Sequence, residues 1–189
     1  MTLRTRHLMA TLAAIAILGA CPARAQEEPG PDAEIPAEEM TDAAPQPGRG
    51  PVTNMPLPRF VSLKGSEGNA RRGPSLSHRI DWIFRHRDMP LMVTAEFGNW
   101  RRVEDRDGQG GWIHYALLSG VRTVMVTADL AELRGSPRAN SGVVAKAENG
   151  AILRLEDCSI DWCRISASGE RGWVPKTDIW GVDKDEIRE

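Results

Sequence analysis

Apolar and polar residues alternate over short stretches in the second half of the chain. Ile80, Trp82 and Phe84 alternate with charged or polar neighbours, which is the period of two typical of a β-strand. Further strands are predicted over 91–96, 100–104 and 111–114, separated by glycine-containing turns. No segment of this region has a convincing helical period. The pattern predicts an all-β fold of about five short strands in about 60 residues, hence a small closed or nearly closed β-barrel.

The sequence repeats itself at an offset of 61 or 62 residues. The matching anchors are Arg72-Gly73 with Arg134-Gly135, Trp100-Arg101-Arg102-Val103 with Trp162-Cys163-Arg164-Ile165, and Gly111-Trp112-Ile113 with Gly172-Trp173-Val174. Because the anchors keep their order, two tandem barrels are predicted, at 59–121 and 122–182, followed by a charged tail at 183–189.

Residues 1–25 have the pattern of a signal peptide. A basic start precedes an uncharged run over 8–20, and Ala23-Arg24-Ala25 predicts cleavage after Ala25. As a helix this run would rise about 20 Å, short of the roughly 30 Å hydrocarbon core, so no transmembrane span is expected. A second route stays open, because Leu18-Gly19-Ala20-Cys21 resembles a lipobox and would make Cys21 a lipid anchor. Either route predicts a periplasmic or other extracytoplasmic location.

Residues 26–58 differ in composition from the predicted barrels. They contain eight prolines, seven acids, the single base Arg49 and no aromatic residue. Such a segment buries too little apolar surface to offset its ordering entropy, so a disordered linker is predicted. The whole chain has a formal charge of −2, which does not suit a protein that binds nucleic acid by neutralising phosphates.

The anchors resemble those of the bacterial Src-homology-3 family, in particular tandem pairs in exported proteins. The resemblance rests on Arg-Gly-Pro-Ser at 72–75, Trp100-x-x-Val103 and Gly111-Trp112-Ile113, and in the second copy on Leu133 to Pro137, Gly172-Trp173-Val174-Pro175 and Ile179-Trp180-Gly181. It implies two small β-barrels of about five strands each and a binding role, often near the cell wall.

The resemblance also implies candidate ligand residues. Peptide-binding relatives form a groove from a tryptophan, a proline and a tyrosine. Trp100 and Trp162 match the tryptophan, Pro175 matches the proline in the second unit, and the tyrosine position falls on Leu117 and Asp178. Trp180 is a further aromatic candidate. Arg72 and Arg102 belong to a first unit that is rich in arginine, and are candidates for contact with an anionic partner.

Two cysteines remain once a leader containing Cys21 is removed. Cys158 and Cys163 flank a short turn, so they are predicted to form a disulfide across a hairpin. A redox or metal pair is the alternative, although further ligands with suitable spacing are not evident. The equivalent positions in the first unit are Glu96 and Arg101, an oppositely charged pair that would replace the covalent link.

The pattern of reactive residues does not indicate catalysis. No phosphate-binding loop, metal-binding His-Glu motif or Cys-His set of a wall hydrolase is present, so no catalytic residue, metal or cofactor is predicted. The favoured function is an exported binding module that recognises peptidoglycan, its stem peptides or a periplasmic protein. A structural scaffold or accessory subunit of a larger envelope assembly is the main alternative, and a hydrolase is a minor one.

Overall fold

A computed structural model describes residues 47–189, except the side chain of Ala167. The predicted signal peptide, Cys21, the cleavage site at Ala25 and residues 26–46 of the predicted linker lie outside the described residues. Within 47–189 the chain forms strands and two short 3-10 helices. None of its helices there is long and apolar enough to cross a bilayer.

The first barrel is one antiparallel sheet of seven strands. In chain order these are β1 (Arg59–Leu63), β2 (Gly68–Arg71), β3 (Ile80–Phe84), β4 (Pro90–Phe97), β5 (Trp100–Glu104), β6 (Gly110–His114) and, after a 3-10 turn at Tyr115–Leu117, β7 (Leu118–Ser119). The spatial order is β3-β2-β6-β5-β4-β1-β7.

The second barrel repeats this arrangement strand for strand. Its strands are β8 (Thr123–Val126), β9 (Leu130–Arg134), β10 (Val143–Glu148), β11 (Ile152–Cys158), β12 (Trp162–Ala167), β13 (Glu170–Pro175) and, after a 3-10 turn at Lys176–Asp178, β14 (Ile179–Trp180). The order β10-β9-β13-β12-β11-β8-β14 matches the first. The all-β tandem fold is confirmed, with additional strands too short to show a clear alternation.

Each sheet encloses its own apolar core. Six strands contribute to the first core, whose buried residues are Leu63, Ala70, Phe84, Leu91, Val93, Val103 and Ile113. A separate cluster of aliphatic residues and both cysteines fills the second. On β3, however, only Phe84 is buried, and Ile80 and Trp82 are exposed. β3 is one of the two edge strands of this sheet, and most of its alternating apolar face extends beyond the core.

At β2 and β9, the strand pairing matches the two barrels one residue away from the match that the sequence repeat gave. Arg71 pairs with Trp112 and Arg134 pairs with Trp173, so Arg71 is the counterpart of Arg134. Both arginines donate from Nη1 to a backbone carbonyl of the following loop, Arg71 to His78 and Arg134 to Ser141, at 2.6 Å each. The alignment of Arg72 with Arg134 is therefore wrong, because the first unit has two more residues than the second between the paired arginine and the tryptophan of the Gly-Trp motif.

The glycine of each Gly-Trp motif lies where strands cross closely. A Cβ on Gly111 would lie 2.6 Å from the carbonyl oxygen of Arg71, and the φ of Gly111 is +151°. A Cβ on Gly172 would lie 2.6 Å from the Cβ of Leu133. The recurring glycine thus allows β6 and β13 to approach β2 and β9.

Residues 47–58 form a strap on the first barrel. Arg49 and Pro56 form a β-bridge, and the Leu57 amide donates to the Gly48 carbonyl at 2.8 Å. The carboxylate of Glu96 in β4 accepts bonds from the Val52 amide (3.1 Å), the Thr53 amide (2.9 Å) and the Thr53 hydroxyl (2.7 Å). The prediction of disorder is wrong for 47–58, because the buried carboxylate provides partners that composition does not reveal.

Candidate functional site

Trp162 and Pro175 lie opposite each other on neighbouring strands of the second barrel. Trp162 begins β12 and Pro175 ends β13, and the antiparallel register pairs the two residues. They border a cavity of about 320 Å³, here called the groove. Its lining comprises Leu130, Glu132, Arg134, Ala139, Trp162, Pro175 and Asp178.

The groove combines apolar walls with carboxylates. Arg134 donates to the Glu132 carboxylate at 2.5 Å, so that charge is compensated within the protein. Asp178 accepts a bond from the Thr177 hydroxyl at 3.0 Å, and no ion pair to it is found among residues 47–189. The groove can therefore hold an apolar segment between Trp162 and Pro175 and a cationic or N–H donor group at Asp178.

The corresponding place in the first barrel is built differently. His114 occupies the position of Pro175, opposite Trp100. The rings of Trp100 and His114 meet edge to face with centroids 5.5 Å apart, and Tyr115 lies beside His114 at 5.0 Å. The histidine contact covers part of Trp100, so the two barrels offer unlike surfaces at equivalent positions.

Arg72 and Arg102 line one cavity on the first barrel. This basic cavity, about 400 Å³ in volume, is bordered by Arg71, Arg72, Asp81, Arg102, Gly110, Gly111 and Trp112. Asp81 binds Arg72 Nε at 3.0 Å and Arg79 Nε at 2.7 Å. The hydrogen bond from Arg72, together with Arg79, lowers the pKa of the Asp81 carboxyl, which is an anion at neutral pH.

Trp180 lies apart from both cavities, at the contact between the barrels. Its ring meets Phe60 of β1 edge to face with centroids 5.2 Å apart. The Arg122 guanidinium lies 5.6 Å from the same Phe60 ring and forms two 2.9 Å bonds to Glu186 in the tail. Nearby, the Thr123 hydroxyl donates to the Asp88 carbonyl at 2.6 Å. These contacts give Trp180 a packing role, and its ligand role stays a prediction.

The predicted disulfide is present. Cys158 and Cys163 form an S–S bond across the β11–β12 hairpin and are both buried. At the equivalent register in the first barrel, Glu96 pairs with Arg101, whose Nε lies 3.4 Å from Glu96 Oε1. An ion pair therefore takes the place of the covalent link, as the repeat predicted.

Glu96 has more partners than the repeat suggested. Arg59 also donates to Glu96, at 2.7 Å, alongside the strap donors Val52 and Thr53. Burial acts to raise the pKa of this carboxyl, but the bonds from Thr53, Arg59 and Val52 outweigh burial and lower the pKa to about 2. Glu96 therefore holds the strap, β1 and β5 together.

Sequence reasoning found part of the groove. Trp162 and Pro175 were predicted as ligand residues from the resemblance to the family. Asp178 was noted only as the residue at the tyrosine position of the family, and no role was predicted for Leu130, Glu132 or Ala139. These three come from β9 and the loop that follows it, and only the folding of that loop brings Ala139 near Trp162. A short strand and a polar loop carry no spacing signal that indicates a ligand.

Comparisons with known proteins identify the family. A model of the bacterial SH3 domain matches residues 64–120 and 127–181, more than half of the chain. Two solved structures are similar at 14% and 15% identity, NlpC2 and NlpC1 from Trichomonas vaginalis, each with a TM-score of 0.31. The alignments cover 65% of this chain and 48% and 45% of those chains, so this chain spans about half their length.

A search of curated proteins gives no match. Bacterial SH3 domains are generally non-catalytic modules that bind cell-wall or protein partners. The two matched segments cover six of the seven strands of each sheet, all but β1 and β8, and contain both Gly-Trp motifs. The chain therefore belongs to the bacterial SH3 domain family.

Proposed function

We propose that this protein is an exported, non-catalytic binding module of the bacterial cell envelope, and that the groove of the second barrel is its principal ligand site. The observation that carries the proposal is the pairing of Trp162 with Pro175 beside Asp178. The ligand is peptidoglycan, its stem peptides or a periplasmic protein. No cofactor or metal takes part.

The chemistry of the groove favours a peptide with a free amino group. The Trp162 ring and Pro175 form rigid apolar walls that contact an extended chain with little loss of side-chain freedom. Since Arg134 neutralises Glu132, Asp178 provides the carboxylate for an ammonium group. Among the proposed partners, stem peptides and protein segments both supply such groups.

The proposed location outside the cytoplasm is supported by the disulfide. Cysteine pairs of this kind form and persist in oxidising compartments. We propose that residues 1–25 act as the signal peptide, cleaved after Ala25, and lipidation at Cys21 is the alternative route. Both routes place the barrels on the outer side of the inner membrane.

A second candidate function is that of a structural scaffold or accessory subunit. The contacts that favour it are those between the barrels, formed by Phe60 with Trp180 and by Thr123 with Asp88. In such a subunit the barrels would pack on each other and on a larger assembly, and partner contacts would be spread over both.

A photocrosslinker placed in the groove tests the proposal and separates the two functions. We expect Ala139→p-benzoylphenylalanine to form a discrete adduct in envelopes of the producing cells. A muramidase-sensitive adduct identifies the wall, and a single protein band identifies a periplasmic partner. The matched control is Leu76, which lies at the corresponding position of the first-barrel loop and is exposed.

The control position decides between the outcomes. Leu76→p-benzoylphenylalanine is expected not to give the adduct seen from position 139, since the first barrel lacks the Trp162–Pro175 pair. Identical adducts from both positions support the scaffold. Absence of any adduct from position 139, in protein that is exported and folded, contradicts the groove as a ligand site.

A further inference from the structure

We propose that the basic cavity of the first barrel is a second ligand site, which takes an oxyanion group, a phosphate or a carboxylate carried on a ring. This site is separate from the groove and does not depend on it. Arg72 and Arg102 are its ligand-binding residues, and Trp112 forms its apolar wall. Arg71 holds the loop that follows β2 in place through hydrogen bonds to that loop.

Three neighbouring strands place the key side chains in one row. Arg71 of β2 pairs directly with Trp112 of β6, and Trp112 pairs directly with Arg102 of β5. Directly paired residues of adjacent strands project from the same face of a sheet, so Trp112 lies between Arg71 and Arg102 in this row. Arg72 extends the row at the adjoining loop and lines the same cavity.

The guanidinium groups of this row are only partly used within the protein. Arg71 is anchored by bonds to the Leu76 and His78 carbonyls. Arg72 uses its Nε for Asp81, and its side chain is 60% exposed. Arg102 lies 3.7 Å from Glu104 and is 56% exposed. Arginine forks with free N–H groups match the geometry of phosphate and carboxylate oxygens.

The second barrel serves as an internal comparison for this site. Arg164, the counterpart of Arg102, pairs with Trp173 but also contacts Glu156 at 3.1 Å and Asp157 at 2.5 Å. Arg171 lies 3.3 Å from the same Glu156. The arginine of the second barrel is therefore neutralised within the sheet.

The first barrel lacks these compensating acids. The β4 residues that correspond to Glu156 and Asp157 are Thr94 and Ala95, and Ala95 is the β4 residue paired with Arg102. In addition, Arg72 is replaced by Gly135 in the second barrel. The same place in the fold thus carries excess positive charge in one barrel and compensated charge in the other. A site for an anion on the first barrel accounts for this difference.

A titration followed by NMR tests the site on the full chain. The probes are glucose 6-phosphate, glucuronate and neutral glucose, and the signals are the arginine Nε–H and tryptophan indole resonances. We expect both charged sugars, but not glucose, to shift Arg72, Arg102 and Trp112. The charged probe that binds with the higher affinity identifies phosphate or carboxylate as the preferred group.

Paired variants make the titration specific. Combining Arg72→Gly, the residue of the second barrel, with Arg102→Gln is expected to weaken binding of the charged probes by about tenfold or more. Arg164→Gln, the matched control, is expected to leave affinity within about twofold of the wild type. Asp81→Asn removes the competing carboxylate and is expected to tighten binding, which provides a test in the opposite direction.

Two results would overturn the proposal. One is a set of shifts spread evenly over other arginines such as Arg85 and Arg87, which indicates an adventitious ion only. The other is an equal loss of affinity in Arg164→Gln. Trp162→Ala is expected to leave this titration unchanged, so failure of the basic cavity and failure of the groove can be told apart.

Discussion

Replacing Glu96 by glutamine is expected to lower the free energy of unfolding by about 3 kcal/mol at pH 7. The side chain is completely buried, accepts hydrogen bonds from the strap and Arg59, and forms an ion pair with Arg101. An amide keeps the shape but removes the charge, and leaves the nearly buried Arg101 guanidinium without its anion. Urea denaturation of the wild type and the variant measures the loss.

The same residue predicts the dependence of stability on pH. The pKa of Glu96 is lowered from 4.5 to about 2, so its stabilising contribution is complete above the ordinary pKa and is lost as the pH falls from 4.5 toward 2. A shift of this size corresponds to about 3 kcal/mol. The Glu96→Gln variant lacks this group and is expected to lose less stability over that range.

Two further variants separate the carboxylate from other surface charges. Glu104→Gln removes a partly exposed carboxylate 3.7 Å from Arg102 and is expected to change the free energy of unfolding by less than about 1 kcal/mol. Gly50→Ala keeps every charge, but its new methyl group would collide with Glu96 and displace the strap. Gly142→Ala, where a Cβ meets open space, is its control. A Glu96→Gln protein as stable as Glu104→Gln would contradict this role of Glu96.

Removing the disulfide with Cys158→Ala and Cys163→Ala is expected to lower the free energy of unfolding by about 2 to 4 kcal/mol. Closing a loop with a sequence separation of 5 restricts the unfolded chain by about 2 kcal/mol, and the lost sulfur packing in the second core adds to this. Thermal or urea unfolding measures the change. A reductant is expected to destabilise the wild type and to leave the double variant unchanged.

The disulfide also bears on the groove, because Trp162 directly precedes Cys163 in β12. The double variant is expected to alter the fluorescence of Trp162 before global unfolding begins. Alkylation without reductant, followed by mass spectrometry, is the direct check of the bond. Two labelled thiols in the folded protein would rule it out.

The duplicated fold was predictable because its anchors have strict geometric causes. Gly111 and Gly172 recur where strands cross closely, and the tryptophans that follow them pair with the arginines of β2 and β9. The disulfide was predictable from two cysteines that flank a turn. The same offset identified Glu96 and Arg101 as its charged substitute.

The strap was not predictable, because its partner lies far away in the sequence. Thr53 and Glu96 are 43 residues apart, and nothing in a proline-rich segment indicates that its amides will meet a buried carboxylate. The alignment of Arg72 with Arg134 failed for a local reason, since two additional loop residues in the first unit shift the register. Groove residues such as Ala139 depend on loop folding in the same way.

The central claim is that the groove binds an envelope component. The most direct test measures how much of the protein is retained on isolated sacculi and on a sacculus-free periplasmic extract. We expect the wild type to be retained by one of the two, and Trp162→Ala to lose about tenfold or more of that retention with its circular dichroism unchanged. Trp100→Ala is expected to stay within about twofold of the wild type. Folded Trp162→Ala that is retained like the wild type, or a wild type retained by neither fraction, would contradict the claim.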